Sequence, residues 1–195
     1  MSVTTFKESG IRRVFAQLII DRFFVLVRKL QSASMVNEPL DQRTASLILH
    51  FLRHFFLAHH REEQRQAFQL LEHRGLPADF GPLAALRQEH RKMNAFIVRL
   101  ERRVEEWEAE SFQSGYAFKD ELLELALLAE EHAKVEKRIL GIVEGASSCS
   151  LPNDSEDTPG GGGSERLWVT LLLDLEERIA RLDRAIPRGI RVTSS

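Results

Sequence analysis

The sequence contains almost no cysteine, no signal-peptide pattern and no apolar run long enough to cross a membrane. Its single cysteine, Cys149, excludes an internal disulfide and indicates a reducing compartment. The first residues, MSVTTFKESGIRR, lack the basic start and apolar core of a signal peptide, so we expect a cytoplasmic protein. The most apolar N-terminal stretch, VFAQLIIDRFFVLV, is interrupted by Asp21 and Arg22 and falls far short of the roughly 20 apolar residues of a membrane span. We therefore expect no membrane association.

The sequence also lacks an excess of either charge. Its 27 Lys and Arg residues stand against 29 Asp and Glu residues, and the formal net charge is -2. A chain whose positive and negative charges nearly balance has no excess of basic residues to bind a phosphate backbone, so we expect no nucleic-acid partner. With 195 residues the chain is long enough to bury a full-sized core without the disulfides or metal ions that many small domains need.

Proline and glycine are rare before residue 145, and helical periodicity dominates that part of the chain. Apolar residues recur every three or four positions over four segments, at about 7–33, 40–74, 82–111 and 117–144. Pro39 and Pro82 suit first helical turns, and Gly75 suits a helix end. The breaks SASMVNEP, RGLPADFGP and SFQSGY are short, and short connections favour antiparallel neighbours. The sequence predicts an all-α fold, an up-down antiparallel four-helix bundle over residues 1–144.

Proline, glycine and serine then crowd into residues 145–164, GASSCSLPNDSEDTPGGGGS, which we predict to be a flexible linker. Residues 165–186 predict a fifth, amphipathic helix, and residues 187–195 form a tail. The apolar stripe of this helix comprises Trp168, Leu172, Leu175, Ile179, Leu182 and Ile186. We expect the stripe to dock on the bundle, to self-associate or to bind a protein partner, and we expect the bundle to fold without it.

Polar residues interrupt the apolar stripes of three helices at one level of the predicted bundle. His59 and Glu63 take core positions in the second segment, His90 in the third, and His132 and Glu136 in the fourth. Burying an unpaired carboxylate is costly, so the inward glutamates need partners, and histidines from different helices can share them through a metal. Imidazole nitrogen and carboxylate oxygen suit iron, manganese or zinc. The predicted metal ligands are His59, Glu63, His90, His132 and Glu136.

The neighbouring histidines receive other assignments. His60 lies one residue round the helix from His59, which places it at the edge of the site or at the surface, and we favour the surface. His50 and His54 form an i, i+4 pair that lies roughly opposite His59 at about 100° per residue. For this pair, solvent exposure or packing between helices is favoured over metal binding.

Together these segments resemble the hemerythrin-like (HHE) cation-binding family. HHREEQRQAFQLLEHRGLP is similar to its second-helix signature, a His-His pair followed by a carboxylate pair. LRQEHRKMNAFIVRL is similar to its third-helix Glu-His segment, and LLAEEHAKVEKRIL to its fourth-helix Glu-His-x-x-x-Glu. The resemblance implies a non-haem iron site of one or two ions. Within it, His59, His90 and His132 would be terminal ligands, and Glu63 and Glu136 would bridge two irons.

The sequence departs from this family at the first helix, which normally supplies one His ligand. No His precedes position 50, and Ile20 stands in the ligand's place beside Asp21. Asn94 stands where some members have a second third-helix His, and Gln64 where the second glutamate of the pair would be. The missing ligand leaves three alternatives: a position open to O₂ or another small ligand, a site for one metal, or a degenerate site without metal.

Three functions follow from these alternatives. The leading hypothesis is a metal-binding protein that binds, stores or senses O₂ or iron. An oxidoreductase that consumes O₂ or peroxide at the same site ranks lower, because no general acid or substrate pocket can be named, and we therefore do not favour an enzyme. The third is a metal-free bundle that acts as a protein-interaction module. In that case, the core histidines would form His⁺–carboxylate pairs with a raised His pKa.

Overall fold

The computed structural model describes residues 3–30, 39–107, 112–145 and 161–185, and within these ranges the chain forms five helices. Helix α1 spans Val3–Lys29, α3 spans Gly81–Glu105, α4 spans Phe112–Gly145 and α5 spans Gly161–Ala185. Helix α2, residues 42–73, is composite: Gln42–Phe51, Leu57–Glu63 and Gln69–His73 are α-helical, and π-turns at Leu52–Phe56 and Gln64–Phe68 separate them. The predicted all-α bundle with a C-terminal helix is confirmed. No helix in the described ranges is long and apolar enough to span a membrane.

The start of α2 is set by a side-chain cap. The Asp41 carboxylate accepts a hydrogen bond from the Thr44 backbone N–H at 2.9 Å, which satisfies one of the first-turn donors and makes Asp41 the N-cap. The helix therefore begins after Pro39, and the prediction that Pro39 occupies a first helical turn is wrong. Pro82 does lie in the first turn of α3, as predicted.

Two glycines have different structural roles: one ends a helix, and the other allows close packing inside a helix. Gly75 follows α2 with φ of 90°, and its N–H bonds to the Glu72 carbonyl at 2.8 Å in a helix-ending turn, as predicted. Gly115 instead lies inside α4, which begins at Phe112, so the predicted break SFQSGY is largely helical. A Cβ at Gly115 would lie 2.4 Å from the Leu40 carbonyl oxygen. This glycine is needed for close packing against the chain before α2.

The main core is rich in phenylalanine where α1 meets α2. The Phe23 and Phe51 rings stack at 4.2 Å between centroids, and the Phe24 ring meets Phe56 edge-on at 5.6 Å. A second, smaller apolar cluster lies near the α2–α3 connection and comprises Phe68, Leu71, Leu83, Leu86 and Ile139.

The predicted polar level lies between these two clusters. On α2, the cluster residues Leu57 and Phe68 bracket the His and Glu positions; on α3, Met93 and Leu86 bracket His90. On α4 the same holds for Ala129 and Ile139, which enclose His132 and Glu136. The bundle core is thus divided by one polar layer.

Helix α5 packs against α1 and α2 of its own chain. Leu172, Leu175 and Ile179 are buried in the main core cluster, and the Trp168 ring lies 5.3 Å from that of Phe55. The Arg22 guanidinium on α1 donates to both Glu176 carboxylate oxygens, at 2.8 and 2.6 Å. Docking on the bundle is therefore the observed arrangement. Cys149 and Ile186 lie outside the described residues, and α5 already includes Gly161–Gly163 of the predicted linker.

Candidate metal centre

The π-turns of α2 decide which histidine faces the core. The Leu57 N–H bonds to the Leu52 carbonyl, five residues back, so this turn takes up one more residue than an α-helical turn. The buried stripe consequently runs from Leu52 to Phe56 and on to His60. His60 is buried, with its side chain 10% exposed, and His59 is half-buried, with its side chain 12% exposed. The prediction that His60 lies at the surface is wrong.

Four buried side chains come together at this level: His60, Glu63, His90 and His132. Each offers one ligand-type atom, and these atoms all lie within 4.8 Å of one another. Glu63 Oε2 lies 3.1 Å from His60 Nδ1 and 3.9 Å from His90 Nε2. His90 Nε2 and His132 Nε2 are 2.8 Å apart. We call these four residues the His/Glu group.

The other two predicted residues lie beside this group. Glu136 is buried, and its Oε2 is 4.0 Å from His132 Nε2. His59 Nε2 lies 4.0 Å from Glu63 Oε1, on the carboxylate oxygen that faces away from His60. The structure therefore places all five predicted residues at one level of the bundle and adds His60 to them.

Glu89 was not predicted, although it immediately precedes His90. It reaches across to α4, where its Oε2 lies 2.8 Å from His132 Nδ1. An ionised carboxylate can only accept, so the Nδ1–H of His132 donates and its Nε2 carries a lone pair. A carboxylate behind an imidazole in this way fixes the ring orientation of many metal ligands. The sequence signal for Glu89 was its position directly before His90. Its contact with His132 depends on the neighbouring helix, so the position alone does not reveal it.

The tautomer of His132 determines which ring nitrogen of His90 carries a proton, and the contact with Glu63 does the same for His60. His90 Nε2–H donates to His132 Nε2, so His90 Nδ1 carries a lone pair. His60 Nδ1–H donates to Glu63 Oε2, so His60 Nε2 also carries one. Both of these nitrogens are buried and lack a hydrogen-bond partner in the structure. The His/Glu group therefore presents two unused, buried Lewis bases, which an electron-pair acceptor would satisfy.

Burial keeps the central imidazoles neutral. Desolvation, together with the nearby His132 and against a smaller opposing effect of Glu136, lowers the pKa of His60 to about 3. Desolvation also lowers the pKa of His90 to about 2, with the other histidines of the site contributing. The metal-free alternative predicted a raised pKa for the core histidines, and for His90 the pKa is lowered instead. Neutral imidazole is the form that binds metal.

Aromatic rings hold two of these imidazoles in place. The Phe56 ring meets the His60 ring edge-on at 4.3 Å, and the Phe68 ring stacks on His90 at 5.2 Å. The His60 and His90 rings also stack on each other at 4.7 Å. Packed rings restrict rotation of the imidazoles.

One cleft reaches the His/Glu group from the side of α1 and α4, with a volume of about 290 Å³. Ile20 and Asp21 both line it, and its wall includes Glu130, which pairs with Arg28. We call it the acidic cleft. Its lining includes His60, His132 and Glu136, so the position of the missing first-helix ligand opens on the site.

Another cleft, of about 360 Å³, reaches the group from the side of α2 and α3. We call it the arginine cleft. It is lined by Leu57, His60, Arg61, Gln64, His90, Arg91 and Asn94.

These residues fit a metal cation. The centre combines neutral imidazoles, a buried carboxylate and two buried lone pairs that lack a partner. The family description "Hemerythrin HHE cation binding domain" matches residues 17–141, which is more than half of the chain. The chain belongs to the hemerythrin HHE family. The matched range of the HHE domain includes α2, α3 and all residues of the His/Glu group, and it ends before α5. No curated protein and no solved structure matches this HHE chain.

Proposed function

We propose that this HHE domain is a non-haem iron protein that binds O₂ or another small ligand at the iron, in ligand storage or redox sensing. His60, Glu63, His90 and His132 would hold one ion. Glu136 and His59 lie next to the group and would hold a second. A mixed nitrogen and oxygen donor set of this kind suits iron, and family membership supports the same choice.

The pair of buried, unpartnered nitrogens carries this proposal. A buried polar atom without a partner costs about 1–3 kcal/mol. His60 Nε2 and His90 Nδ1 are two such atoms on side chains of the His/Glu group, and a cation bound to either nitrogen would remove the cost of burying it.

The chain's own residues have definable roles around the ion. Bound iron would supply redox and Lewis-acid chemistry. Glu89 orients His132 through Nδ1, and the Phe56 ring packs against His60. Ile20 gives the acidic cleft an apolar wall where the family usually has a ligand, which favours a small uncharged molecule such as O₂ at that side.

Metal analysis of protein purified without a His tag tests the proposal. After anaerobic loading with Fe(II) and desalting, we expect at least one iron per chain in the wild type. We expect loss of that iron in His132→Leu. The matched control is His54→Leu, which removes an exposed histidine of α2 outside the site and should leave the iron content unchanged. Wild-type protein that retains no iron, manganese or zinc would refute the proposal.

The metal-free interaction module is favoured by one observation: His90 and His132 already bond to each other at 2.8 Å. This contact alone leaves His60 Nε2 without a hydrogen-bond partner, so we rank the metal-free function second. An oxidoreductase would use the same iron centre, and repeated consumption of O₂ by iron-loaded protein in the presence of an added reductant would reveal it.

A further inference from the structure

The arginine cleft has an apolar and imidazole floor and a basic rim. Leu57, His60 and His90 are buried at its base, and Arg61 and Arg91 are exposed at its edge. In the sequence each arginine directly follows a buried histidine, in HHR and in EHR. Because successive helical residues are rotated by about 100°, each arginine stands beside the inward histidine of its own helix. The two guanidiniums therefore flank one opening from facing helices.

Neither guanidinium is neutralised within the described part of the chain. No ion pair or side-chain hydrogen bond joins Arg61 or Arg91 to another described residue. At the acidic cleft, by contrast, Arg28 pairs with Glu130. Two unpaired guanidiniums across one cleft create a positive potential that attracts an anion. The Gln64 and Asn94 amides line the same cleft and can donate further hydrogen bonds.

The unpartnered nitrogens at the floor give the cleft a second, inner part. His60 and His90 are each more than nine-tenths buried, and each carries a lone pair without a partner. A cation held by the His/Glu group would add positive charge near the floor of this cleft, because His60 and His90 line it, and would strengthen the binding of an anion there.

We propose that the arginine cleft binds a small oxyanion, anchored by Arg61 and Arg91. Guanidinium donates pairs of parallel N–H bonds that match the oxygens of carboxylate, sulfate or phosphate groups. This inference rests on the proposed metal only for the strength of binding, because the arginines bind the anion in the metal-free protein as well.

Isothermal titration calorimetry with sodium sulfate, and separately with sodium formate, tests this at constant ionic strength. The titrations use full-length protein without metal and after loading with Zn(II), which avoids redox chemistry. We expect both anions to bind the metal-free wild type and to bind more tightly after zinc loading. The double variant Arg61→Gln/Arg91→Gln should bind at least tenfold more weakly in both states. Glutamine retains helix propensity, so the variant should fold, and circular dichroism checks this.

Arg43→Gln is the matched control. Arg43 is exposed on α2, makes no ion pair with a described residue and lines neither cleft, so its loss removes one positive charge, as does Arg61→Gln or Arg91→Gln alone. Weakening by Arg43→Gln equal to that by either single variant, or unchanged anion binding by the double variant, would overturn the inference. Binding of formate only after zinc loading, unaffected by the arginine changes, would also overturn it. Arginine-dependent sulfate binding by protein that takes up no metal would support the anion site and refute only the proposed iron function.

Discussion

The lowered pKa values of His60 and His90 predict that the metal-free protein loses stability in mild acid. In the unfolded chain both histidines have the reference pKa of about 6.5. In the folded chain their pKa values lie at about 3 and about 2, so both stay neutral well below neutral pH. Between these limits the unfolded state binds more protons, so acidification favours unfolding. The stability contributed by burial of the neutral rings is present above about pH 6.5 and falls as the pH drops below that value.

The size of the loss in unfolding free energy follows from the difference in proton binding between the unfolded and folded states. From about pH 7.5 to about pH 5.5, each histidine gains most of a proton in the unfolded state and almost none in the folded state, which costs somewhat more than 1 kcal/mol. The pair predicts a loss of about 3 kcal/mol, a large fraction of a typical domain's stability. Carboxylates have reference pKa values near 4 and contribute little over this window.

Urea denaturation of chelator-treated protein, followed by circular dichroism, measures this loss. His60→Leu should reduce the pH dependence by about half, since one of the two groups is removed. The exposed His54 provides the control, and His54→Gln should leave the dependence unchanged. Stability that is constant, or that increases, between about pH 7.5 and 5.5 would show that the two imidazoles are already charged in the folded protein. Bound metal should add stability near pH 7.5, and this increment should disappear in acid because protons and metal compete for the same nitrogens.

The remaining predictions concern single residues. Ile20→His should raise iron affinity or stoichiometry, because the position lines the acidic cleft beside His60; metal analysis that shows neither would contradict this orientation of α1. Glu89→Ala should weaken metal binding by about 10–100-fold while leaving the fold intact, as seen in competition titrations with a chelator. Leu175→Ala should destabilise the bundle by about 2–5 kcal/mol in urea, and no change would mean that α5 is separable, as the sequence predicted. Gly115→Ala should cost about 1–3 kcal/mol in the same assay, because its Cβ would displace the Leu40 carbonyl; an unchanged midpoint would contradict that contact.

The regular part of the bundle was predictable because apolar periodicity depends only on helix geometry. The burial of Glu63, His90, His132 and Glu136 was predicted correctly, since each continues an apolar stripe. Their role as ligands stays a prediction.

His60 could not be found in this way. Its inward position depends on a π-turn, which adds one residue to the stripe and has no simple sequence signature. A similar limit applies to α5, whose apolar stripe was evident. Its binding surface is formed jointly by α1 and α2, and no pattern within α5 itself specifies it.

The polar layer that divides the core has a consequence for cooperativity. The small apolar cluster around Phe68, Leu83 and Ile139 is separate from the main core, and the His/Glu group lies between the two clusters. Without a metal, that end of the bundle should open as a separate unit, with faster amide hydrogen exchange than the phenylalanine-rich end. A metal ion shared by α2, α3 and α4 would act as a cross-link between the two units. Metal binding would then slow amide hydrogen exchange equally along the whole length of these helices, including positions far from any ligand.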